Sequence, residues 1–142
     1  MFSLKVRALQ KIYQIIDVHW AEICNVLPAI EELSEDSSFA GADLASAIAS
    51  KCFYHLQEYN DALRLALNSG KYLDISVRNE YIETILSKCI DQYKSLRIQQ
   101  DADATVSIDP RMEAIMEQMF QRCYRFGALT PLLCFHCIMC FF

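Results

Sequence analysis

The sequence predicts an all-α fold built from antiparallel helical hairpins. Apolar residues recur at spacings of three and four along most of the chain, which is the period of an amphipathic helix. No segment shows convincing alternation of period two, so no strand is predicted. Three glycines and three prolines in 142 residues are few for a chain with many tight turns, and long helices with short connections suit that scarcity. With 54% hydrophobic and 22% charged residues, the composition is that of a globular protein.

The first 30 residues predict two helices. One stripe of the first helix consists of Phe2, Val6, Leu9, Tyr13 and Ile16. A second apolar set consists of Leu4, Ala8, Ile12 and Ile15. Together the two sets let the helix pack against two neighbours. Asp17 is predicted to cap a second helix, whose apolar face carries Trp20, Ile23, Leu27 and Ile30. Because Pro28 cannot donate a hydrogen bond to the carbonyl of Cys24, this helix is expected to kink or restart there.

A polar break at residues 34–41 precedes a predicted helical hairpin. The junction between its two helices lies within residues 51–72, KCFYHLQEYNDALRLALNSGKY. The first helix places on one side Ala45, Ile48, Ala49, Cys52, Phe53 and Leu56. The second places on one side Tyr59, Ala62, Leu63, Ala66 and Leu67. Since only a few residues separate the helices, they must run antiparallel, and the small side chains of Ala49 and Ala62 let the backbones approach closely. Gly70 fits a C-terminal cap.

Two further helices are predicted after this hairpin. Ser76 is expected to cap the first, which carries Tyr81, Ile82, Ile85, Leu86, Cys89, Tyr93 and Leu96 on its apolar side. Residues 98–107, IQQDADATVS, have no helical stripe and predict a solvated loop. Asp109-Pro110 is a strong helix start, with a capping carboxylate before a proline at the first helical position. The apolar face of this last helix consists of Met112, Ile115, Met116, Met119, Phe120 and Cys123.

The predicted hairpins follow one another without a closing element, and each has apolar residues for more than one neighbour. This pattern favours an α-solenoid, in which stacking buries what one repeat cannot bury alone. A compact helical bundle is the alternative, because periodicity does not determine how the helices connect.

The charge and the cysteines exclude several classes of protein. A net charge of −5, with lysines and arginines scattered singly among acids, argues against a nucleic-acid-binding surface. Of seven cysteines, Cys24, Cys52, Cys89 and Cys123 stand far apart, each on an apolar stripe, where cysteine behaves as a small hydrophobe. No disulfide framework is implied, and a reducing compartment is expected. The first residues lack the uninterrupted apolar run of a signal peptide.

The sequence contains no recognisable catalytic motif. His19 lies near Asp17 and His55 near Glu58, but neither histidine has a nucleophile nearby in sequence, and both are interpreted as surface or packing residues. The sequence has no Gly-rich phosphate loop, no His-Glu-x-x-His motif and no nucleophile elbow. The acidic cluster Glu31, Glu32, Glu35 and Asp36 lacks the glycine and alternating ligands of a calcium loop and is interpreted as a solvated helix end.

The C-terminal tail, RFGALTPLLCFHCIMCFF, abandons the amphipathic pattern. Its candidate zinc ligands are Cys134, His136, Cys137 and Cys140, although metal sites usually lie in polar turns with a second ligand pair elsewhere. Residues 126–142 are also just long enough to be considered as a membrane anchor, but Pro131 and His136 weaken that interpretation. The favoured interpretation is a divergent terminus, with no metal and no cofactor.

Five blocks of sequence carry a resemblance to a known family. They are HWAEI (19–23), AIEELSEDSSF (29–39), LASAIASKCFYHLQEYNDALRLAL (44–67), EYIETILSKCIDQY (80–93) and IDPRMEAIMEQMFQRC (108–123). In this order, they resemble the N-terminal region of the 26S proteasome non-ATPase regulatory subunit 1 family, the largest scaffold subunits of the regulatory-particle base. The resemblance covers about residues 4–124.

The resemblance implies a non-catalytic scaffold. Members of this family are large α-solenoids that hold other subunits of the regulatory particle and act in ubiquitin-dependent protein degradation, without catalytic residues of their own. The implied partners are regulatory-particle subunits, with no nucleic acid, no small-molecule substrate and no membrane, and the implied location is the cytoplasm and nucleus. The exposed hairpin residues expected to be available for contacts are Lys51, Gln57, Asn60 and Arg64.

Two departures from the family pattern define the expected domain organisation. The N-terminus looks shortened, and after Tyr124 the chain runs into its cysteine-rich tail instead of another hairpin. Residues 1–124 are therefore predicted to form the solenoid segment, and residues 125–142 to lie outside the family fold. The alternative function is a small helical adaptor that is tethered to a membrane by residues 126–142.

Overall fold

The computed structural model describes the backbone of residues 4–125 and the side chains of residues 4–122, all of whose regular elements are helical. The helices are α1 (Leu4–Cys24), α2 (Leu27–Glu35), α3 (Ala42–His55), α4 (Tyr59–Asn68), α5 (Glu80–Ala102) and α6 (Pro110–Arg125). A single 3-10 turn, Gly70–Tyr72, follows α4. The all-α prediction is confirmed for this part of the chain. The chain divides into two compact units, residues 1–88 and residues 89–142.

The first helix is broken close to the point where a new helix was predicted. α1 has a kink at His19, whose φ of −108° and ψ of 28° are non-helical, so that two helical segments meet there. The predicted break is therefore found, but the predicted cap at Asp17 is wrong. The carboxylate of Asp17 accepts hydrogen bonds from the ammonium of Lys51 on α3, at 2.8 Å and 3.0 Å, instead of capping backbone N–H groups.

The predicted restart near Pro28 is confirmed. α1 ends at Cys24, and α2 begins at Leu27, so that Pro28 occupies the first turn of the new helix. In a first turn the backbone N–H groups have no partner within the helix, and a residue without an N–H disturbs nothing there.

Helices α3 and α4 form the predicted antiparallel hairpin. Three residues connect them, and Gln57 in this connection has a positive φ of 64°. Gly70 has a φ of 53°, which confirms its predicted place at the end of α4. Leu56, predicted on the apolar side of α3, is 45% exposed, so that prediction is wrong. The helix ends at His55, and the chain turns before Leu56 can reach the core.

The core of the first unit lies around α3. Seven consecutive residues of this helix, 44–50, are buried, because α1, α2 and α4 all pack against it. Ala49 and Ala62 are both fully buried, as expected for the small side chains of a close helix pair. The main apolar cluster consists of Leu9, Ile16, Ile23, Leu27, Ile30, Leu44, Ala45, Ile48, Ala49, Cys52 and Leu65.

Helix α5 begins and ends at residues other than those predicted. Asn79 caps it by accepting a hydrogen bond from the Ile82 N–H at 2.8 Å. Ser76, the predicted cap, instead donates its N–H to Asp74 Oδ1 at 2.9 Å in a local turn. α5 also extends to Ala102, so the predicted loop at residues 98–107 is helical over its first half. Residues 99–101 are polar but have adequate helix propensity, so α5 can continue through them without an apolar stripe.

Helix α6 begins as predicted. Asp109 Oδ1 accepts a hydrogen bond from the Arg111 N–H at 2.9 Å, and Pro110 is the first helical residue. In the second unit, a small apolar cluster contains the buried Ile90 and Met116. The partly buried side chains packed against it are Tyr93, Met119 and Phe120. The side chain of Cys123, predicted on this face, lies outside the described residues.

Replacing Asp109 by alanine should destabilise the start of α6 by about 1 kcal/mol, because the helix loses its cap. Asp109→Asn should keep most of that stability, since an amide oxygen also caps. The side-chain hydrogen bond with Arg111 lowers the pKa of Asp109. Its carboxylate therefore stabilises the fold fully above the unfolded pKa of about 4, and this contribution is lost as the pH falls through the folded pKa. Amide hydrogen exchange in α6 measures the effect; equal exchange in wild type and Asp109→Ala would contradict it.

Candidate functional site

A polar cleft of about 340 Å³ lies in the first unit between α1, α3 and the start of α5. We call it the Lys51 cleft. Its lining residues are Asp17, Lys51, Tyr54, His55, Asn79, Glu80 and Tyr81. These residues come from three separated segments of the chain, so only the helix packing brings them together.

Lys51 is held within the cleft by charge and by aromatic rings. Its Nζ lies 2.8 Å from Asp17 Oδ1, 5.0 Å from the centre of the Tyr13 ring and 5.8 Å from the centre of the Tyr81 ring. The side chain is only 15% exposed. The prediction that Lys51 is an exposed contact residue is therefore wrong. An ammonium can be this buried because the carboxylate and the ring faces replace part of its hydration.

The other three residues predicted to face away from the hairpin seam, Gln57, Asn60 and Arg64, are exposed. Arg64 lies 3.5 Å from Asp61 and 3.8 Å from Glu31, which are separations of solvent-screened ion pairs. These three positions remain available on the surface of the first unit.

A buried hydrogen-bond chain links α3, α4 and α5 behind Lys51. Ser50 Oγ donates to the Ala62 carbonyl oxygen at 2.6 Å and lies 2.8 Å from the Tyr81 hydroxyl. Since the Ser50 proton is directed to the carbonyl, the Tyr81 hydroxyl is the donor in the second bond. Burial raises the pKa of Tyr81 to about 12, so this donor stays protonated.

The two histidines make aromatic and surface contacts. His55 stacks on Trp20 with a centroid distance of 5.0 Å and an interplanar angle of 10°, and the Tyr54 ring meets it edge-on. Burial lowers the pKa of His55, while the charge of Asp17 opposes this shift. His19 is exposed, and its Nδ1 lies 3.9 Å from Glu22 Oε2, beyond hydrogen-bond distance. His55 therefore packs and His19 lies on the surface.

The chemistry of the Lys51 cleft is that of a structural junction. The ammonium is paired with Asp17, the Ser50 hydroxyl donates to a carbonyl, and the Tyr81 hydroxyl is held protonated. None of these groups is free to take a proton from a substrate at neutral pH. The cleft instead joins α1, α3, α4 and α5 through polar contacts.

The described residues contain neither a cluster of metal ligands nor a helix that could span a membrane. Among them, no group of three or more His, Cys, Asp or Glu side chains is arranged to hold a metal ion, and this includes the acidic cluster around Glu35. No helix within residues 4–125 is long and apolar enough to cross a bilayer. The candidate zinc ligands and the candidate anchor at residues 126–142 lie outside the described residues.

The cleft was not predicted from the sequence. Tyr13 and Asp17 are four residues apart on α1, which places them on one helix face and is the only local signal. Lys51 and Tyr81 join them through contacts between helices that are distant in sequence. Lys51 lies between the buried residues Ser50 and Cys52 on α3. A charged side chain at such a position requires a partner of opposite charge, and this is the signal that could have indicated the cleft.

The fold and the cleft together define the class of the chain over residues 4–125: a set of packed helices that includes one tight hairpin, with the polar groups of the Lys51 cleft engaged in contacts between helices. The family model described as 26S proteasome subunit RPN2, N-terminal domain, matches residues 2–131. The chain belongs to this family. The resemblance inferred from the five sequence blocks is thereby confirmed.

Relatives from three kingdoms support the assignment. The 26S proteasome non-ATPase regulatory subunit 1 of Drosophila melanogaster is 47% identical over 126 residues, covering 87% of this chain and 12% of the relative. Homolog B of that subunit in Arabidopsis thaliana is 43% identical over 128 residues, 88% of this chain and 13% of the relative. The 26S proteasome regulatory subunit RPN2 of Saccharomyces cerevisiae is 36% identical over 132 residues, 89% of this chain and 14% of the relative. This chain thus spans only a small part of each relative.

Two serines on the same side of α3 should respond oppositely to replacement by alanine. Ser46 Oγ is buried without a hydrogen-bond partner, so Ser46→Ala should raise the free energy of unfolding by about 1 kcal/mol. Ser50→Ala should lower it by about 1–3 kcal/mol, because the partly buried Tyr81 hydroxyl loses its acceptor. Urea unfolding of both variants beside the wild type measures the difference. The hydrogen-bond assignment would be wrong if both substitutions shifted stability in the same direction.

Proposed function

We propose that this chain acts as a non-catalytic scaffold segment of the proteasome regulatory particle, contributing to ubiquitin-dependent protein degradation through contacts with other subunits. The observation that carries the proposal is the family match over residues 2–131. Its relatives are named regulatory subunits, and two of the three compared above are named non-ATPase. The chain spans 12–14% of their length, so the proposal concerns the contacts made by their N-terminal region.

The character of the described fold supports a structural role. The polar groups of the Lys51 cleft stabilise helix packing, and the three-residue connection holds α3 and α4 close together. Such rigid helix pairs present side chains to a partner without the loss of backbone freedom that a flexible segment would undergo. Gln57, Asn60 and Arg64 are the exposed hairpin residues that we propose as contact candidates.

We propose that the partners are proteins, with nucleic acid, small-molecule substrates and membranes playing no part. The net charge of −5 supports this choice over a polyanion. We also propose that the chain resides in the cytoplasm and nucleus, where its partners would be. The family match extends to residue 131, beyond the predicted boundary at residue 124, so the part of the tail that we propose to lie outside the family fold is residues 132–142. Imaging of the tagged chain with markers for both compartments tests the location; a signal confined to a membrane compartment would contradict it.

The deciding experiment is a native pull-down of the tagged full-length chain from cells, with regulatory-particle subunits quantified by mass spectrometry. Recovery of those subunits near stoichiometry supports the scaffold function. Recovery of chaperones alone, while the particle is intact in the same lysate, contradicts it. The matched control is Ile48→Asp, which places an unpaired charge in the core and should recover only chaperones.

The contact candidates have a test of their own. In the same pull-down, a variant with Gln57→Ala, Asn60→Ala and Arg64→Glu should lose regulatory-particle subunits while it keeps the helical circular dichroism of the wild type. A control set away from the hairpin, Gln10→Ala, Gln14→Ala and Lys11→Glu, changes the same kinds of exposed side chain on α1. If the hairpin variant recovers the subunits at the wild-type level, these residues are not the contact.

A further inference from the structure

Helix α1 carries exposed apolar residues on the side that faces away from the core. The residues that it buries are Val6, Leu9, Ile16 and Ile23, and the last three belong to the main apolar cluster around α3. On the opposite side, four residues follow one another at spacings of four, three and four. We call this set the outer seam of α1; it consists of Lys11, Ile15, Val18 and Glu22. All four are exposed, Ile15 by 48% and Val18 by 78%.

The outer seam is complementary in charge to itself. Lys11 precedes the apolar pair Ile15 and Val18, and Glu22 follows it. Among the described residues, Lys11 forms no ion pair. The Glu22 carboxylate lies 3.9 Å from Nδ1 of His19, which is beyond hydrogen-bond distance. Both charges are therefore available to a helix that presents the opposite charges in the opposite order, and a second α1 running antiparallel is such a helix.

We propose that the outer seam binds the outer seam of a second copy of this chain, so that two α1 helices pack antiparallel about a two-fold axis. Ile15 of each copy then faces Val18 of the other, and Lys11 of each copy faces Glu22 of the other. Every favourable contact occurs twice, as in an isologous dimer. The pairing goes beyond the proposed scaffold function and does not depend on it, because it concerns contacts between copies of this chain.

The centre of this pairing lies in regular helix. Residues 11–18 precede the kink at His19, so the contacts between Ile15 and Val18 join undistorted segments of both copies. These contacts remove apolar surface from water, and the flanking ion pairs fix the register and the direction of the helices. A seam of four residues per copy is far smaller than the roughly 20–30 residues per side of a standard interface. We therefore expect a weak dimer, with a Kd in the high micromolar range.

Sedimentation equilibrium of the full-length chain tests the pairing, over concentrations that bracket the expected Kd. The wild type should show a single equilibrium between monomer and dimer. Val18→Lys places an ammonium opposite Ile15 at two points of the seam and should raise the Kd at least about tenfold. Since Val18 is exposed, circular dichroism should show an unchanged helical fold. The matched control is Val77→Lys, the same substitution at an exposed site outside α1, which should leave the Kd unchanged.

Charge reversal tests the antiparallel direction. Lys11→Glu and Glu22→Lys each turn both attractive pairs into repulsive ones, so either variant alone should have a Kd raised at least about fivefold. A mixture of the two variants restores opposite charges across the seam and should dimerise with about the wild-type Kd. The double variant Lys11→Glu/Glu22→Lys should do so by itself. In a parallel pair, by contrast, each position would face its own equivalent, and neither single variant would weaken the dimer.

Three outcomes overturn the proposal. The first is a wild-type chain that stays monomeric throughout the concentration range. The second is association that Val18→Lys does not weaken, or that Val77→Lys weakens equally, because the contact would then lie elsewhere in the chain. The third is a monomeric chain whose Val18→Lys variant loses regulatory-particle subunits in the pull-down, because the seam would then contact another subunit. A monomeric chain that recovers those subunits would overturn the pairing and leave the scaffold function standing.

Discussion

Replacing Ile48 by alanine is expected to lower the free energy of unfolding by about 2–5 kcal/mol, the largest effect of any single truncation proposed for this chain. Ile48 has no exposed surface and lies on α3, the helix against which α1, α2 and α4 pack. Removing its outer carbons loses apolar burial and leaves a cavity that three neighbouring helices cannot all move to fill. Urea unfolding followed by circular dichroism measures the change as a lower midpoint with an unchanged slope.

The control for this substitution is Val18→Ala on α1. Val18 is 78% exposed, so its truncation should change stability by less than about 0.5 kcal/mol. If Ile48→Ala were as mild as Val18→Ala, the placement of α3 at the centre of the first unit would be wrong.

Enlarging Ala62 to leucine is expected to destabilise the hairpin by about 1–3 kcal/mol. Ala62 is fully buried, and its carbonyl oxygen lies 2.6 Å from Ser50 Oγ on the facing helix. Since the short serine side chain reaches across to the backbone of α4, the two helices are too close to admit three more carbons at this position. The helices must separate or the leucine must take a strained rotamer, and separation would also break the Ser50 hydrogen bond.

The matched control is the same substitution at Ala8, an exposed position on α1. Ala8→Leu adds the same atoms to a helix facing solvent, where it should be close to neutral. Amide hydrogen exchange then identifies the helices that are destabilised: Ala62→Leu should accelerate exchange in α3 and α4 above that of the wild type. Unchanged exchange in these helices would show that the hairpin accommodates the larger side chain.

The elements predicted correctly are those whose signal is local. Gly70 with its positive φ and Asp109 as the cap of α6 follow from backbone chemistry within a few residues, and the structure confirms both. The hairpin was predictable because its two apolar faces are joined by a connection too short for any other arrangement. The small residues Ala49 and Ala62 also indicated how closely its helices approach.

The incorrect predictions arise where a residue has two suitable partners. Asp17 can cap a helix, but the ammonium of Lys51 on α3 competes for its carboxylate, and the break in α1 falls at His19 instead. Ser76 can cap α5, but it donates its N–H to the neighbouring Asp74 in a local turn. Asn79 lies closer to the start of the helix and provides the cap. The Lys51 cleft could not be predicted because its central ion pair joins residues 34 positions apart. Such a pair leaves no periodic signal in the sequence.

The connection between α3 and α4 depends on a residue that is poorly suited to its own backbone. Gln57 has a φ of 64°, a conformation in which a side chain other than that of glycine raises the energy by about 1 kcal/mol. Gln57→Gly should therefore stabilise the chain, by less than that amount because glycine is also freer in the unfolded state. Thermal unfolding of this variant beside Asn60→Gly, which should destabilise α4, checks the sign. In a randomised library selected for heat resistance, position 57 should converge on glycine or asparagine, although it contributes nothing to the core.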